Sequence, residues 1–441
     1  MAARLETTQR DESAHGVAPG RWALQWVWPK ARSSWLDAPR LDIGRDASCA
    51  LSLDGPGVSR KHAELYRQGP LFALRDLGST NGSWLNGRRV EHAPIASGDV
   101  LRIGDWVGML RMLHELPPAF RELAPGLFGG AEVAAALEPL RRAAGTADLP
   151  LLLTGATGTG KERFAHAVHH FSGRRGPFVA VNCAALPEQL AEAELFGYRR
   201  GAFTGAERNS IGHLRASDGG TLLLDEVAEL PASLQPKLLR ALESHNVQGL
   251  GEPAPALVDL RVVSAVQRPV AELVESGRLR EDLAARLCGL QILLPPLRDR
   301  RPDIAGLFGQ FLRQNLGGRI PRVEGRVVEA LCLHDWPQNV RALELSTRAL
   351  LAVHGHEAVL KHEHLPPELA REPAPSEPVE GGPLRDRREH DLSALKRALR
   401  SNGGNISAAA SVLGISRQRI YRLLDGQSVE TLLKKAGGSG G

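Results

Sequence analysis

Hydrophobic and polar positions change rhythm twice along the chain. From about Trp22 to Leu113 the apolar residues come in short runs with turns between them. Examples are Leu71-Phe72-Ala73-Leu74, Ser83-Trp84-Leu85 directly before Asn86-Gly87, and Val100-Leu101-Arg102-Ile103-Gly104. Asn-Gly beside such a run is a hairpin signal, so residues 22–113 predict an all-β sandwich. From about 127 to 368 apolar runs alternate with helical patterns, which predicts a parallel sheet with covering helices, an α/β domain. Residues 114–126 carry prolines and read as a linker. Residues 369–389 are rich in Pro, Glu and Gly, have nothing to bury, and read as a second one. Over about 390–426, Leu395, Leu399, Ala409, Val412, Leu413, Ile420, Leu423 and Leu424 fall at helical spacing. Asn405-Ile406-Ser407, Gly414 and Ser416 supply caps and a turn, which predicts three short helices containing a helix-turn-helix. Residues 1–21 and 427–441 are polar or Gly-rich and read as a flexible arm and tail.

Composition narrows this picture only slightly. The chain has 441 residues, 42% hydrophobic and 24% charged, ordinary for soluble globular domains. No run of roughly 18 apolar residues exists, so no membrane span is expected. The first residues lack the apolar core of a signal peptide. Cys49, Cys183, Cys288 and Cys332 are scattered without a CxxC pair. They read as reduced, buried residues of a cytoplasmic protein, not as ligands. A formal net charge of +5 permits nucleic-acid binding without arguing for it.

Two motifs point to nucleotide chemistry. Pro150-Leu-Leu-Leu-Thr154 is a short apolar strand, followed by Gly155-Ala156-Thr157-Gly158-Thr159-Gly160-Lys161 and a helical pattern to about Phe171. Strand, glycine-rich loop and helix is the context of a P-loop. Backbone N–H groups turn toward phosphate oxygens, the helix N-terminus adds positive partial charge, and Lys161 reaches the β- and γ-phosphates. Glu162 stands where the general pattern has the Ser or Thr that meets Mg²⁺. The second motif, Gly219-Gly220-Thr221-Leu222-Leu223-Leu224-Asp225-Glu226, is a buried strand ending in two carboxylates. Asp225 would position Mg²⁺, and Glu226 would act as general base on the attacking water. A nucleotide with Mg²⁺ is the expected substrate.

Between these motifs lies Gly201-Ala202-Phe203-Thr204-Gly205-Ala206, glycine turns around one aromatic and one hydroxyl residue. With Val181-Asn182-Cys183-Ala184-Ala185-Leu186, Glu194-Leu195-Phe196-Gly197 and Leu294-Pro295-Pro296-Leu297-Arg298, residues 127–368 resemble the AAA+ domain of bacterial enhancer-binding proteins. These are the ATPase activators of sigma-54 RNA polymerase. The resemblance implies that Phe203 and Thr204 contact sigma-54 and that Asn182 is the switch asparagine holding Glu226. It implies that Arg280 and Arg286 reach a neighbouring subunit's γ-phosphate, that Arg341 is the sensor II arginine, and that the active form is a homo-oligomer, a hexamer. Three positions depart from the family pattern. Ala265-Val266-Gln267 replaces Ala-Thr-Asn at sensor I, Gln338 replaces a glycine, and Ala156 replaces an acidic P-loop residue.

The flanking segments resemble two further modules. Ile43-Gly44-Arg45, Val58-Ser59-Arg60-Lys61-His62-Ala63, Asp76-Leu77-Gly78-Ser79-Thr80-Asn81-Gly82 and Leu85-Asn86-Gly87 resemble a forkhead-associated (FHA) domain. The resemblance implies that phosphothreonine is bound by Arg45 and Ser59 with Arg60 and Thr80, that Asn81 holds the peptide backbone, and that His62 fixes the loop. The C-terminal helices resemble the Fis-type DNA-binding module, with Ser416, Arg417, Gln418, Arg419, Tyr421 and Arg422 on the recognition helix. Arg and Gln can read base edges of double-stranded DNA while other side chains hold phosphates. The expected whole is a sigma-54-dependent regulator, cytoplasmic, bound upstream of its promoters and controlled by a phosphoprotein. Two readings stay open beside it: an AAA+ remodeller of another protein, and a DNA-bound adaptor with an impaired ATPase.

Overall fold

A computed structural model describes residues 20–370 except 70, 147–148 and 318–319, together with Leu395 and Leu399. The chain divides into a unit spanning residues 1–373 and a second spanning 374–441. In the second, Leu395 and Leu399 are buried helical positions one turn apart.

The first unit begins with eleven strands: β1 (Arg21–Trp28), β2 (Arg32–Trp35), β3 (Arg40–Gly44), β4 (Leu51–Ser52), β5 (Ala63–Gln68), β6 (Leu71–Asp76), β7 (Ser83–Leu85), β8 (Arg88–Val90), β9 (His92–Ile95), β10 (Val100–Ile103) and β11 (Trp106–Leu113). They form two sheets, ordered β2-β1-β11-β10-β7-β8 and β4-β3-β5-β6-β9. This is the sandwich expected from the turn-punctuated apolar runs. Trp22, Trp26, Ile43, Leu65, Phe72, Leu74, Leu101, Ile103 and Leu110 fill its core.

Residues expected to form only a linker carry β12 (Arg121–Ala124), which pairs antiparallel with β13 (Leu127–Gly129). Then α1 (Ala131–Ala143), β14 (Leu151–Thr154), α2 (Lys161–Ser172), β15 (Phe178–Asn182), α3 (Ala191–Phe196), α4 (Gly212–Ala216), β16 (Thr221–Asp225), α5 (Gln235–Ser244), the short β17 (Asn246–Val247) and β18 (Ala256–Leu257), β19 (Arg261–Val266), α6 (Val270–Glu275), α7 (Glu281–Leu287) and β20 (Leu290–Leu293) build the α/β layer. Its sheet, β15-β16-β19-β14-β20, is parallel throughout. The register places Asn182 opposite Asp225, Asp225 opposite Ala265, and Thr154 opposite Val266. The P-loop and the acidic strand end therefore meet at the carboxyl edge of the sheet, where open α/β sheets bind ligands.

A helical lid follows: α8 (Pro302–Asn315), α9 (Gly325–Leu333) and α10 (Asn339–His354), with β21 (Arg322–Val323) paired to β22 (Val359–Leu360) and α11 (Pro367–Ala370) at its end. The lid and the sandwich share one core. Val27, Val100, Val107 and Met109 of the sandwich are buried in a cluster with Phe308, Val327, Val328, Leu331 and Trp336 of the lid. Side chains alternate across a strand. In β10, Leu101 and Ile103 point into the sandwich while Val100 faces the lid cluster and Arg102 bonds a lid glutamate. That glutamate is Glu329 of α9. Its Oε2 accepts from Arg102 Nε at 2.5 Å and its Oε1 accepts from the Gly87 N–H at 3.0 Å. Asp105, in the turn after β10, accepts from Arg322 Nη2 at 2.8 Å and from the Gly325 N–H at 3.0 Å. The second of these bonds satisfies an N–H at the start of α9 that has no partner inside the helix.

Candidate active site

The loop between β14 and α2 turns on Gly158 (φ +76°) and Gly160 (φ +103°). Both lie in the left-handed region that glycine adopts at little cost. At Gly158 the packing is as restrictive as the dihedral, because a Cβ there would sit 2.0 Å from the Gln338 carbonyl oxygen. Lys161 is buried, and its Nζ donates to the Gly155 carbonyl at 2.9 Å and the Ala156 carbonyl at 3.4 Å. It must leave these carbonyls to meet a phosphate. Burial lowers its pKa, and the nearby charges of Asp225 and Glu226 oppose that shift. Thr159 is buried, and its hydroxyl donates to the Ala156 carbonyl at 2.8 Å. Glu162 is exposed on the first turn of α2, its carboxylate 4.0 Å from His166.

Desolvation raises the pKa of Asp225, partly offset by Lys161. Among the described residues no group of three or more His, Cys, Asp or Glu converges on a metal position. A single half-buried carboxylate beside the P-loop lysine does fit a Mg²⁺ that arrives with nucleotide phosphates as further ligands.

Glu226 has φ +55°, uncommon outside glycine. Its carboxylate accepts from Nε2 of Gln267. Asn182, whose family counterpart holds this glutamate, instead accepts from the Ala184 N–H at 3.0 Å and caps the short turn after β15. Val266, also at the sensor I departure, is buried in the sheet core, and its carbonyl accepts from the Gly155 N–H at 3.2 Å.

The lid closes on the P-loop through residues the sequence reading left unused. Asn339 Nδ2 donates to the Thr157 carbonyl at 2.8 Å while its Oδ1 accepts from the Leu297 N–H at 2.7 Å. The Val340 N–H donates to the Gly158 carbonyl at 3.0 Å. Buried Arg300 donates from Nη2 to the Thr159 carbonyl at 2.9 Å. Arg341 is exposed, with its own Cβ 3.2 Å from where a Gly158 Cβ would lie. Asn339 was legible as the fourth residue of Trp336-Pro337-Gln338-Asn339. Arg300 had no signal beyond a charge within Arg298-Asp299-Arg300-Arg301.

Arg280 is exposed and bonded to Asp282, with Nη2 to Oδ2 at 2.7 Å. Arg286 Nη2 donates to the Leu242 carbonyl at 2.9 Å. Among the described residues neither bonds the P-loop of its own chain. At the tip of the glycine-bracketed loop, the Gly201 N–H donates to the Ala206 carbonyl at 2.8 Å, and Gly201 and Gly205 have φ of +83° and +98°. Thr204 is exposed. Phe203 is half-buried, edge-on to Tyr198 with ring centroids 5.0 Å apart.

On the sandwich, Arg45, Arg60, Thr80 and Asn81 are exposed on neighbouring loops, and Ser59 is half-buried among them. The loops are bonded together. The Arg45 N–H donates to the Ser59 carbonyl at 2.9 Å, and the Thr80 N–H donates to Ser59 Oγ at 3.2 Å. Fully buried His62 accepts from the Ser59 N–H at 3.1 Å and places Nε2 3.2 Å from the Gly82 carbonyl, in the expected loop-fixing role. Asn81 Nδ2 donates to the Gly57 carbonyl at 3.0 Å.

All four cysteines are free. Three are buried as expected, whereas Cys288 is half-buried. Burial pushes the Cys183 and Cys332 thiols up to about 12, which keeps them protonated and inert. Among the described residues no helix is long and apolar enough to cross a membrane. Ser416, Arg417, Gln418, Arg419, Tyr421 and Arg422 lie outside the described residues.

Comparison with known proteins covers the same segments. Family models match for the FHA domain over residues 41–104, the sigma-54 interaction domain over 128–293, the AAA+ ATPase lid domain over 298–381, and the bacterial regulatory protein, Fis family, over 387–425. The nitric oxide reductase transcription regulator NorR2 of Cupriavidus necator is 44% identical over 302 residues, covering 63% of this chain and 58% of that protein. The pathogenicity locus probable regulatory protein HrpR of Pseudomonas syringae pv. syringae is 41% identical over 280 residues, covering 62% of this chain and 84% of that protein. The chain thus spans somewhat over half the length of some curated relatives and most of another. Among solved structures, NtrX from Brucella abortus is 29% identical with a TM-score of 0.50, covering 70% of this chain and 68% of that one. The same protein in complex with ADP gives 30% and 0.50 over 66% and 67%.

Proposed function

The chain belongs to the sigma-54-dependent transcriptional regulators, and we propose that it is an ATP-driven one whose input is a phosphothreonine protein. The observation that carries the ATPase reading is the meeting of Lys161, Asp225 and Glu226 at one sheet edge under a lid bonded to the P-loop. MgATP is the substrate. Lys161 leaves the Gly155 and Ala156 carbonyls for the β- and γ-phosphates. Asp225 would hold a Mg²⁺ bound with them, which would neutralise phosphate charge, and Glu226 polarises the attacking water. Arg280 and Arg286 act in trans on a neighbour's γ-phosphate, which makes turnover depend on a homo-oligomeric ring, a hexamer. Arg341 lies on the lid beside Gly158, where it follows the state of the phosphates.

Work is delivered through the loop tip. Phe203 leaves Tyr198, and Phe203 with Thr204 engages sigma-54 RNA polymerase. The C-terminal Fis-family segment anchors the ring to double-stranded DNA upstream of the promoter, with 416–419, 421 and 422 facing it. Turnover of ATP and open-complex formation at a sigma-54 promoter test both halves. Lys161→Ala should lose both, while Phe203→Ala should keep turnover and lose only open complexes. Loss of turnover in Phe203→Ala would make the loop structural. A wild-type chain without turnover would remove the ATPase reading and favour a DNA-bound adaptor.

Control by phosphothreonine has a physical route that supports it. Asn81 bonds the Gly57 carbonyl, and a Cβ on Gly57 would lie 3.2 Å from the Gly104 Cα. Gly104 precedes Asp105, which bonds Arg322 and the Gly325 N–H of the lid. A phosphopeptide that takes Arg45, Ser59, Arg60 and Thr80 and competes for the Asn81 amide shifts the 55–60 loop. That loop packs on the turn that holds α9. Promoter output that responds to the phosphorylated partner in wild-type but not in Arg45→Ala cells is the expected result. An unchanged response would remove this input.

A further inference from the structure

We infer that Gln267 is the positioning residue for the catalytic carboxylate of Glu226, in place of Asn182. The inference rests on the ATPase reading and concerns the departure from the usual sensor I residues. Val266 cannot act as a sensor, because its side chain is in the sheet core and its carbonyl is tied to the Gly155 N–H. That tie fixes the end of β19 against the first residue of the P-loop. Gln267 is the next residue, so its backbone moves with the phosphate-binding loop. It is exposed at the sheet edge, and its extra methylene relative to Asn carries the amide onto Glu226. Asn182, on β15 at the other side of β16, spends its oxygen on the Ala184 N–H.

The chemistry suits a general base. An amide N–H is a neutral donor, so it orients one carboxylate oxygen without neutralising the charge. The second oxygen remains for water. A Lys or Arg here would hold the carboxylate too firmly to accept a proton. The backbone adds a second constraint. Glu226 lies in the left-handed region at φ +55°, with its N–H 3.1 Å from Asp225 Oδ1. Backbone strain of this kind persists where the surroundings over-determine it, often at active sites. Strained backbone and amide donor together aim the carboxylate. Movement of the P-loop on phosphate binding is passed through Gly155, Val266 and Gln267 to the base.

The charged groups around Glu226 are Lys161 and Asp225. Arg268, Glu229 and Arg278 line the same cleft of about 140 Å³. Arg278 is already paired with Glu229 at 2.8 Å. None of the cleft cations is recorded on Glu226, so Gln267 is its one recorded side-chain partner among the described residues.

The test is steady-state ATP hydrolysis by the full chain at oligomer-forming concentration, with MgATP affinity measured separately using a fluorescent nucleotide. Gln267→Ala and Gln267→Asn should both bind nucleotide as the wild type does and lose roughly ten-fold or more in kcat at unchanged KM. Asn fails like Ala because it is one methylene short. A side chain with a merely structural role would not separate kcat from KM. A Gln267→Ala kcat within two-fold of wild type, or a higher KM at unchanged kcat, overturns the inference and leaves the ATPase reading standing. Absence of turnover in the wild type overturns both.

Discussion

Replacing Glu329 with Ala should loosen the sandwich from the lid without releasing it. Both Glu329 oxygens are used, one on Arg102 Nε at 2.5 Å and one on the Gly87 N–H at 3.0 Å, and both charged side chains are buried. Removing one member of such a pair leaves a buried charge and a half-buried N–H without partners, a loss of about 3–5 kcal/mol. The Arg102 guanidinium lies 4.4 Å from the Trp84 ring centre, which supports the orphaned cation and puts the loss toward the lower end of that range. Against it stands the apolar contact of Val27, Val100, Val107 and Met109 with the lid. At roughly 1.5–3 kcal/mol for each such side chain, an upper estimate, that contact exceeds the loss. The domains should therefore stay docked while the thermal midpoint falls on the order of 5–10 °C. Arg102→Met combined with Glu329→Met should recover most of the loss, because paired apolar side chains replace a buried ion pair at little net cost. Scanning calorimetry on the wild type, Arg102→Met, Glu329→Met and their combination, with Glu329→Ala alongside, measures the coupling. A Glu329→Ala midpoint within 1 °C of wild type, to be read as about zero on that scale, refutes the reasoning. So does a double variant no more stable than the single one.

Three further outcomes follow from the same contacts. Gly325→Ala should displace the sandwich more than Glu329→Ala does, because the new Cβ would sit 2.7–2.8 Å from the Asp105 backbone; faster proteolysis of the 114–126 segment reads it. Gly158→Ala should abolish nucleotide binding, since the position has φ +76° and its Cβ would meet the Gln338 carbonyl at 2.0 Å; unchanged affinity for a fluorescent nucleotide would contradict it. Burial raises the Asp303 carboxyl from 3.8 to about 7 despite nearby Arg300. The folded state thus binds a proton that the unfolded state has released, and this contribution to stability is full below about pH 4 and is lost as pH rises through 7. Asp303→Asn can keep the bond from the Gly130 N–H, 2.9 Å in the wild type, and should lose that pH dependence. Urea midpoints at pH 5 and pH 8 for both proteins check it: the wild type should fall more than the variant between the two.

Local patterns made most of the architecture legible before any coordinates. A turn after each short apolar run gave the sandwich, and apolar strands alternating with helices gave the parallel sheet. Glycines and carboxylates at strand ends gave the nucleotide site, because phosphate chemistry demands those residue types at fixed spacing. The docking of sandwich on lid was written less plainly. Val100-Leu101-Arg102-Ile103 is buried at all four positions, and an antiparallel strand without an outward polar phase has both faces covered. Arg102 hid that signal, since an arginine inside an apolar run reads as the solvent-facing position. Its partner Glu329 lies 227 residues away in sequence, beyond any local pattern. The partner of Glu226 was hidden for a different reason. Family spacing pointed to Asn182, which the register sets beside Asp225, and only the side-chain hydrogen bond shows the Gln267 amide on Glu226.

These contacts make the lid the element on which the sandwich and the nucleotide site converge. One end of its short helix α9 is held by Asp105, and Glu329 further along is held by Arg102 and Gly87. The start of α10 is bonded to the P-loop through Asn339 and Val340. Between them Trp336, fully buried, donates from Nε1 to the Leu331 carbonyl of α9 at 2.9 Å. A shift at the sandwich therefore has a packed path of few residues to the Thr157 and Gly158 carbonyls. Packed cores pass on displacement because they contain little free volume to absorb it. A linker alone would leave the sandwich tethered but mechanically silent. Here the sandwich completes the hydrophobic core of the lid, so a change in its loops and a change in the nucleotide pocket act on the same few side chains.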